Sequence, residues 1–175
     1  AYHKPMRPHT RKKSEGDRFR TAYASWFHKH RIDLVVESDT HMVKRTYPIR
    51  PASGKGAHES FIRDDATGTV YIGEGSWGAP RRPADDAKPW TMASDSFFQF
   101  KWINVTQTDM QIQCIQFDNA EGVKPLAEGA GYFIPQGLKV WKPATGAILR
   151  LPFDANHPTF LAKSKPYAAI QEGWD

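Results

Sequence analysis

Five of the seven histidines, His3, His9, His28, His30 and His41, fall before residue 42. Asp39-Thr40-His41 comes directly after Ile32-Asp33-Leu34-Val35-Val36, a branched run of the kind that forms a strand buried on both faces. In parallel α/β sheets, ligands gather at the carboxyl ends of strands, where side chains from several loops converge. A D-x-H pair at such an end offers one carboxylate and one imidazole to the same point. With His3 it makes an oxygen and nitrogen donor set suited to Zn, Fe or Mn. The same residues also have a plainer reading, with His41 a hydrogen-bonded core histidine and Asp39 a turn former. His28 and His30 lie near the end of an expected helix, where a partly charged imidazole suits the helix dipole. They are expected to be structural, as are the isolated His58 and His157.

Charge is concentrated at the same end of the chain. The net charge is +5, from 24 Lys and Arg against 19 Asp and Glu. Residues 1–31 hold nine of the basic side chains against only Glu15 and Asp17, and the remainder is slightly acidic. Such a local positive field attracts phosphate esters, nucleic acid or other polyanions, although a solvated loop and helix face carry charge in the same way.

The elements that must position these groups follow from periodicity. Pro5 and Pro8 make residues 1–13 an extended loop. Ser14 to Arg31 reads as an amphipathic helix, capped by Ser14 or Asp17, with Phe19, Ala22, Tyr23, Trp26 and Phe27 as its apolar stripe. Residues 50–69 and 79–94 read as loops on either side of a strand at Thr69–Gly73. Ser96–Thr106 and Met110–Phe117 predict an antiparallel hairpin, with Phe98, Phe100 and Trp102 on one side of the first strand. Leu138–Trp141 and Ile148–Leu151, around Pro143–Gly146, predict a second hairpin, and the last stretch, with Pro158, Pro166 and Gly173, is expected to wrap over the surface. A helix leading into a buried strand implies an α/β (α+β) layered fold.

A chain of 175 residues suits one domain. No apolar stretch approaches the roughly 20 residues that span a bilayer, so no membrane partner is expected. The single cysteine, Cys114, cannot close an internal disulfide. Ala1–Pro5 lacks the pattern of a signal peptide and the chain has no initiator Met, so a mature product or a piece of something longer is expected.

The order of motifs carries a resemblance. Tyr2-His3-Lys4-Pro5-Met6 through His9 comes first, followed by a helix with Trp26-Phe27. Next are Ile32–Val36 running into Ser38-Asp39-Thr40-His41, then Lys44-Arg45-Thr46-Tyr47-Pro48-Ile49, and later Gly68-Thr69-Val70-Tyr71-Ile72-Gly73-Glu74-Gly75. Over roughly residues 1–118 this series resembles the second half of calcineurin-like metallophosphoesterases, in their purple acid phosphatase-like branch.

The resemblance implies a four-layer αββα sandwich and a two-metal centre (Fe, Zn or Mn) that hydrolyses phosphate esters. Residues 1–118 would be the C-terminal part of that catalytic domain, and 119–175 a β-rich extension packed on it. His3 corresponds to the metal-binding histidine of the family's H-x-P segment. His41 corresponds to the second histidine of its G-H-x-H segment. Ser38-Asp39 replaces Gly-His there, so Asp39 would ligate through oxygen and favour harder ions. His9 resembles the catalytic histidine that binds phosphate or protonates the leaving group. Lys4 and Arg7 would help gather the anionic substrate. The family's D-x-H, G-D and G-N-H-[DE] segments precede H-x-P, so the chain is expected to be a C-terminal portion with about half the ligands, inactive alone, whose partner is the N-terminal half of the same protein.

Members of this branch are frequently exported, and Asn104-Val105-Thr106 is a glycosylation sequon with meaning only in a eukaryotic secretory route. The alternative is a non-catalytic basic module for nucleic acid or another polyanion, with the hairpin aromatics stacking bases or sugars. Aromatics at alternate strand positions are more often core, which ranks nucleic acid lower.

Overall fold

The computed structural model describes residues 1–13, 18–73, 75–118, 120–128 and 134–153. The expected caps Ser14 and Asp17, His157 and the expected surface wrap after residue 153 lie outside the described residues. The chain is a mixed α/β, sheet-rich fold with several sheets. Among the described residues no helix is long and apolar enough to cross a membrane.

The helix α1 spans Arg18–Lys29. It ends in a Schellman arrangement: the Ile32 amide donates to the Phe27 carbonyl (2.9 Å) and the Arg31 amide to the His28 carbonyl (3.1 Å). Arg31 takes the left-handed position usually given to glycine, with φ 51°. His28 and Lys29 sit in the last turn, where the dipole favours positive charge. The expected apolar stripe is corrected. Ala24 is buried and Phe27 packs on the core, whereas Tyr23 and Trp26 are 54% and 66% exposed. The small Ala24 side chain lets the helix backbone approach the strand at Ile49–Pro51, so the large rings are left outside.

The main sheet has the order β1 (Leu34–Val36), β5 (Val70–Gly73), β2 (Val43–Thr46), β6 (Thr91–Asp95). β1 and β5 are parallel, in register at Val35 and Tyr71, and the other pairs are antiparallel. Alternation along the parallel pair builds two cores. Val35 and Tyr71 face Met6, Ala24, Ile49, Phe61 and Trp90, beneath α1 and the two-stranded β3 (Ile49–Pro51) and β4 (Phe61–Arg63). Leu34, Val36, Val70 and Ile72 face Ile112, Leu149 and Leu151 of the second sheet. The regions expected to be loops therefore contain β3–β4 and β6.

The second sheet is built on β8 (Asp109–Gln116), which pairs with β7 (Gln99–Val105) as the expected hairpin, Val105 opposite Met110. The expected second hairpin is corrected. β9 (Lys139–Val140) and β10 (Ile148–Pro152) do not pair with each other; both pair antiparallel with β8, β9 at Ile115–Gln116 and β10 at Asp109–Gln113. They form one path along β8, interrupted by the excursion 141–147. Residues on either side of position 118 thus share a sheet.

Candidate functional site

The site begins with a buried charge. Glu37, at the carboxyl end of β1, is 3% exposed, and its Oε1 accepts from Tyr2 Oη (2.5 Å) and the Met6 amide (2.9 Å). Its Oε2 pairs with Lys44 Nζ at 2.5 Å without an aligned hydrogen bond. The Lys44 ammonium, 1% exposed, also donates to the Arg7 carbonyl at 3.0 Å. Burial and the Glu37 charge together push the Tyr71 phenol far above its ordinary value. This network holds residues 5–10 in the interior and lays residues 2–3 beside the exit of β1. There the Tyr2 amide donates to the Val36 carbonyl (3.0 Å) and the Ser38 amide to the His3 carbonyl (2.9 Å).

His3 and Asp39 are brought together, His3 Nε2 lying 3.6 Å from Asp39 Oδ1. The pair sits where the parallel strands end. Asp39 and His41 both have left-handed backbones, with φ 73° and 56°, a cluster of uncommon geometry of the sort found at functional turns. Gly75 packs against this turn so closely that a Cβ there would lie 2.3 Å from Ser38 Oγ. Arg82 Nη1 donates to the Asp39 carbonyl at 2.9 Å, and the Arg82 amide donates to the His41 carbonyl at 3.0 Å. The Asp39 carboxylate accepts from Lys13 Nζ on both oxygens, at 2.9 and 2.8 Å. Partial burial pulls the Asp39 carboxyl up, but Lys13, with His3 and Arg82, outweighs it and holds the group below its ordinary value.

His41 Nδ1 lies 3.0 Å from the Pro80 carbonyl. A carbonyl only accepts, so Nδ1 is the donor, and in the neutral ring the lone pair falls on Nε2, a tautomer that metal-ligating histidines use. The donors fit a metal ion in part. An imidazole and a carboxylate converge, and His41 has the right tautomer; among the described residues no three His, Cys, Asp or Glu side chains converge.

Lys4 is exposed beside His3. Arg7 is turned inward, donating through Nε to the Glu59 carbonyl (2.9 Å) and through Nη1 to the Met6 carbonyl (2.9 Å). His9 is fully buried. Its Nδ1 meets the Arg7 carbonyl (3.1 Å), and its Nε2 accepts from Thr91 Oγ1 (2.7 Å), which itself accepts from the Lys88 amide. Both ring nitrogens are thereby engaged in the interior. Desolvation, with Lys44 and Lys88 nearby, holds the His9 imidazole well below its ordinary 6.5, against the opposing pull of the Arg7 carbonyl.

A pH dependence follows. His9 stays neutral when folded but takes a proton once unfolded, so as pH falls below 6.5 the unfolded state gains protons and stability is lost. Urea midpoints between about pH 7 and about pH 5 should fall in the wild type, with a distinctly shallower slope in His9→Gln. Equal slopes would mean that His9 is not the group responsible.

Sequence reasoning did not find Glu37, Arg82 or Trp77, and it took Lys13 only as one cation of the positive loop expected to attract an anionic substrate. The Trp77 indole is 68% exposed, propped on Phe100 and Phe117 with centroids 5.5 and 4.8 Å away. It helps line a cleft of about 450 Å³ that also touches His3, Ser38 and Phe100. Its only sequence signal was an aromatic set among glycines after a strand. No family model matches the chain, and no curated protein compared with it matches either.

Proposed function

We propose that the chain is the C-terminal, metal-binding portion of a calcineurin-like phosphoester hydrolase of the purple acid phosphatase-like branch. The observation that carries this reading is the approach of His3 to Asp39 at the carboxyl ends of the parallel strands, from positions 36 residues apart. His3 and Asp39 would hold one ion, and His41 Nε2 would serve its neighbour. When bound, the pair of ions supplies an activated water and neutralises the phosphate. The exposed Lys4 adds positive field at the mouth, and the cleft walled by Trp77 gives the organic part of the ester an aromatic face. Arg7 and His9 shape the segment that carries His3 and do not touch substrate.

The four-layer αββα sandwich and the N-terminal half of the protein belong to the same proposal. Its support is the outer face of α1, where Tyr23, Trp26 and Ile32 leave an apolar groove of about 450 Å³ beside β1, a surface suited to a further layer of chain. The polyanion-binding alternative has less support, because Arg7 is turned inward and Lys13 is paired with Asp39.

Calorimetric titration of the chain with Mn²⁺ tests the reading. His3→Ala and Asp39→Asn should each weaken binding by about tenfold to a hundredfold. Wild-type affinity in both variants would refute the assignment.

A further inference from the structure

We propose that the Lys13 ammonium is a built-in competitor for the metal at Asp39, occupying the carboxylate until a divalent ion displaces it. The proposal rests on the metal-binding reading above and names how that site is regulated. Lys13 Nζ takes both oxygens of Asp39 at 2.9 and 2.8 Å, so a cation approaching this face of the carboxylate meets an ammonium already in place. His3 Nε2 stands at the same carboxylate, 3.6 Å from Oδ1, so ammonium and imidazole converge on one anionic group.

The two sides of the pair differ in freedom. Asp39 is fixed by its left-handed backbone and by Arg82 on its carbonyl. Lys13 comes from a loop, its side chain is 30% exposed, and its ammonium rides on a flexible four-carbon stem. The lysine can therefore leave while the carboxylate stays. With the lysine in place Asp39 is a neutral pair; with it gone the same carboxylate is a bare anion beside an imidazole. Two cations that exclude each other from one carboxylate are negatively coupled, and removing one tightens the other.

The test is Mn²⁺ titration of the chain by calorimetry for wild type, Lys13→Met, Lys13→Gln and Lys12→Met, then for the Lys13→Met change in an Asp39→Asn background. Lys13→Met and Lys13→Gln should each bind about tenfold tighter than wild type. Lys12→Met controls for loss of one loop charge and should change binding less than about threefold. In the Asp39→Asn background the gain should vanish. Measurable binding with equal or weaker affinity in both Lys13 variants overturns the competition and leaves the metal-binding reading standing. A gain that persists in the Asp39→Asn background also overturns it, since it would be a general charge effect. Absence of binding in all variants overturns both.

Discussion

Glu37→Ala is expected to destabilise the fold by about 3–5 kcal/mol, the range seen when one member of a buried ion pair is removed. The carboxylate and the Lys44 ammonium are 3% and 1% exposed, so water cannot take over from a lost partner. The substitution strands a buried cation beside the Arg7 carbonyl and also removes the acceptor for Tyr2 Oη and the Met6 amide. A Glu37→Leu, Lys44→Met double variant removes both charges and should recover much of the loss, since the desolvation cost disappears with them. The effect also reaches the site. Tyr2 and Met6 bracket His3, so without Glu37 the imidazole is no longer held toward Asp39. The recovered double variant should still bind Mn²⁺ about tenfold or more weaker than wild type. Urea unfolding and metal titration of the same samples separate the two consequences. Wild-type stability in Glu37→Ala, or full metal affinity in the double variant, would show that this carboxylate does not organise the segment.

That network also explains what the sequence did and did not disclose. β1 and β5 were legible because Leu34–Val36 and Val70–Ile72 are uninterrupted branched or aromatic runs, and β7–β8 because a polar turn separates two alternating stretches. β2 was not, because its centre is Lys44-Arg45. Two adjacent long cations read as solvated surface, and partners distant in sequence make their burial possible: the Glu37 carboxylate and the Arg7 carbonyl for Lys44, and carbonyls a hundred residues downstream for Arg45. The helix was legible but its buried face was not: hydrophobicity ranks Tyr23 and Trp26 inward, while close packing selects Ala24. The tail strands were legible as strands, yet their partner β8 lay outside any local pattern. Of the site, the meeting of His3 with Asp39 follows from where ligands collect on parallel sheets. Lys13 had no such signature, being one cation in a run without periodicity. Arg7 and His9 look like site residues by type and neighbourhood, and only their interior hydrogen bonds reveal a positioning role.

The second buried cation of β2 pairs with no carboxylate among the described residues, and that sets a different expectation for Arg45. Its Nη1 and Nη2 donate to the Gly146 and Ala147 carbonyls, each at 2.9 Å, and its guanidinium lies 4.9 Å from the Trp141 ring centroid. Desolvation pulls its pKa down, and Nε has no hydrogen-bond partner among the described residues, so the side chain is held at some electrostatic cost. What offsets that cost is the closure of the excursion 141–147 over the edge between the two sheets. Gly146 turns this excursion with φ 99°, and the Trp141 indole donates to Asp95 Oδ2 at 3.2 Å from the other side.

Arg45→Ala opens a cavity and releases the two charge-assisted bonds, for an expected loss of about 2–4 kcal/mol. Arg45→Met fills the space without a charge to desolvate and should lose less than half as much. Arg45→Lys should behave more like Ala than like Met, because one ammonium cannot reproduce the planar fork that reaches both carbonyls. All three variants should speed cleavage by elastase after the exposed Ala144, since each loses the paired tether whatever its effect on global stability. The two readouts answer different questions: unfolding reports how well the space is filled, proteolysis whether the excursion is held. If the Ala144–Thr145 bond stays protected in all three variants, Trp141 and the β10 ladder close the edge, and Arg45 is a tolerated burial that ties down nothing.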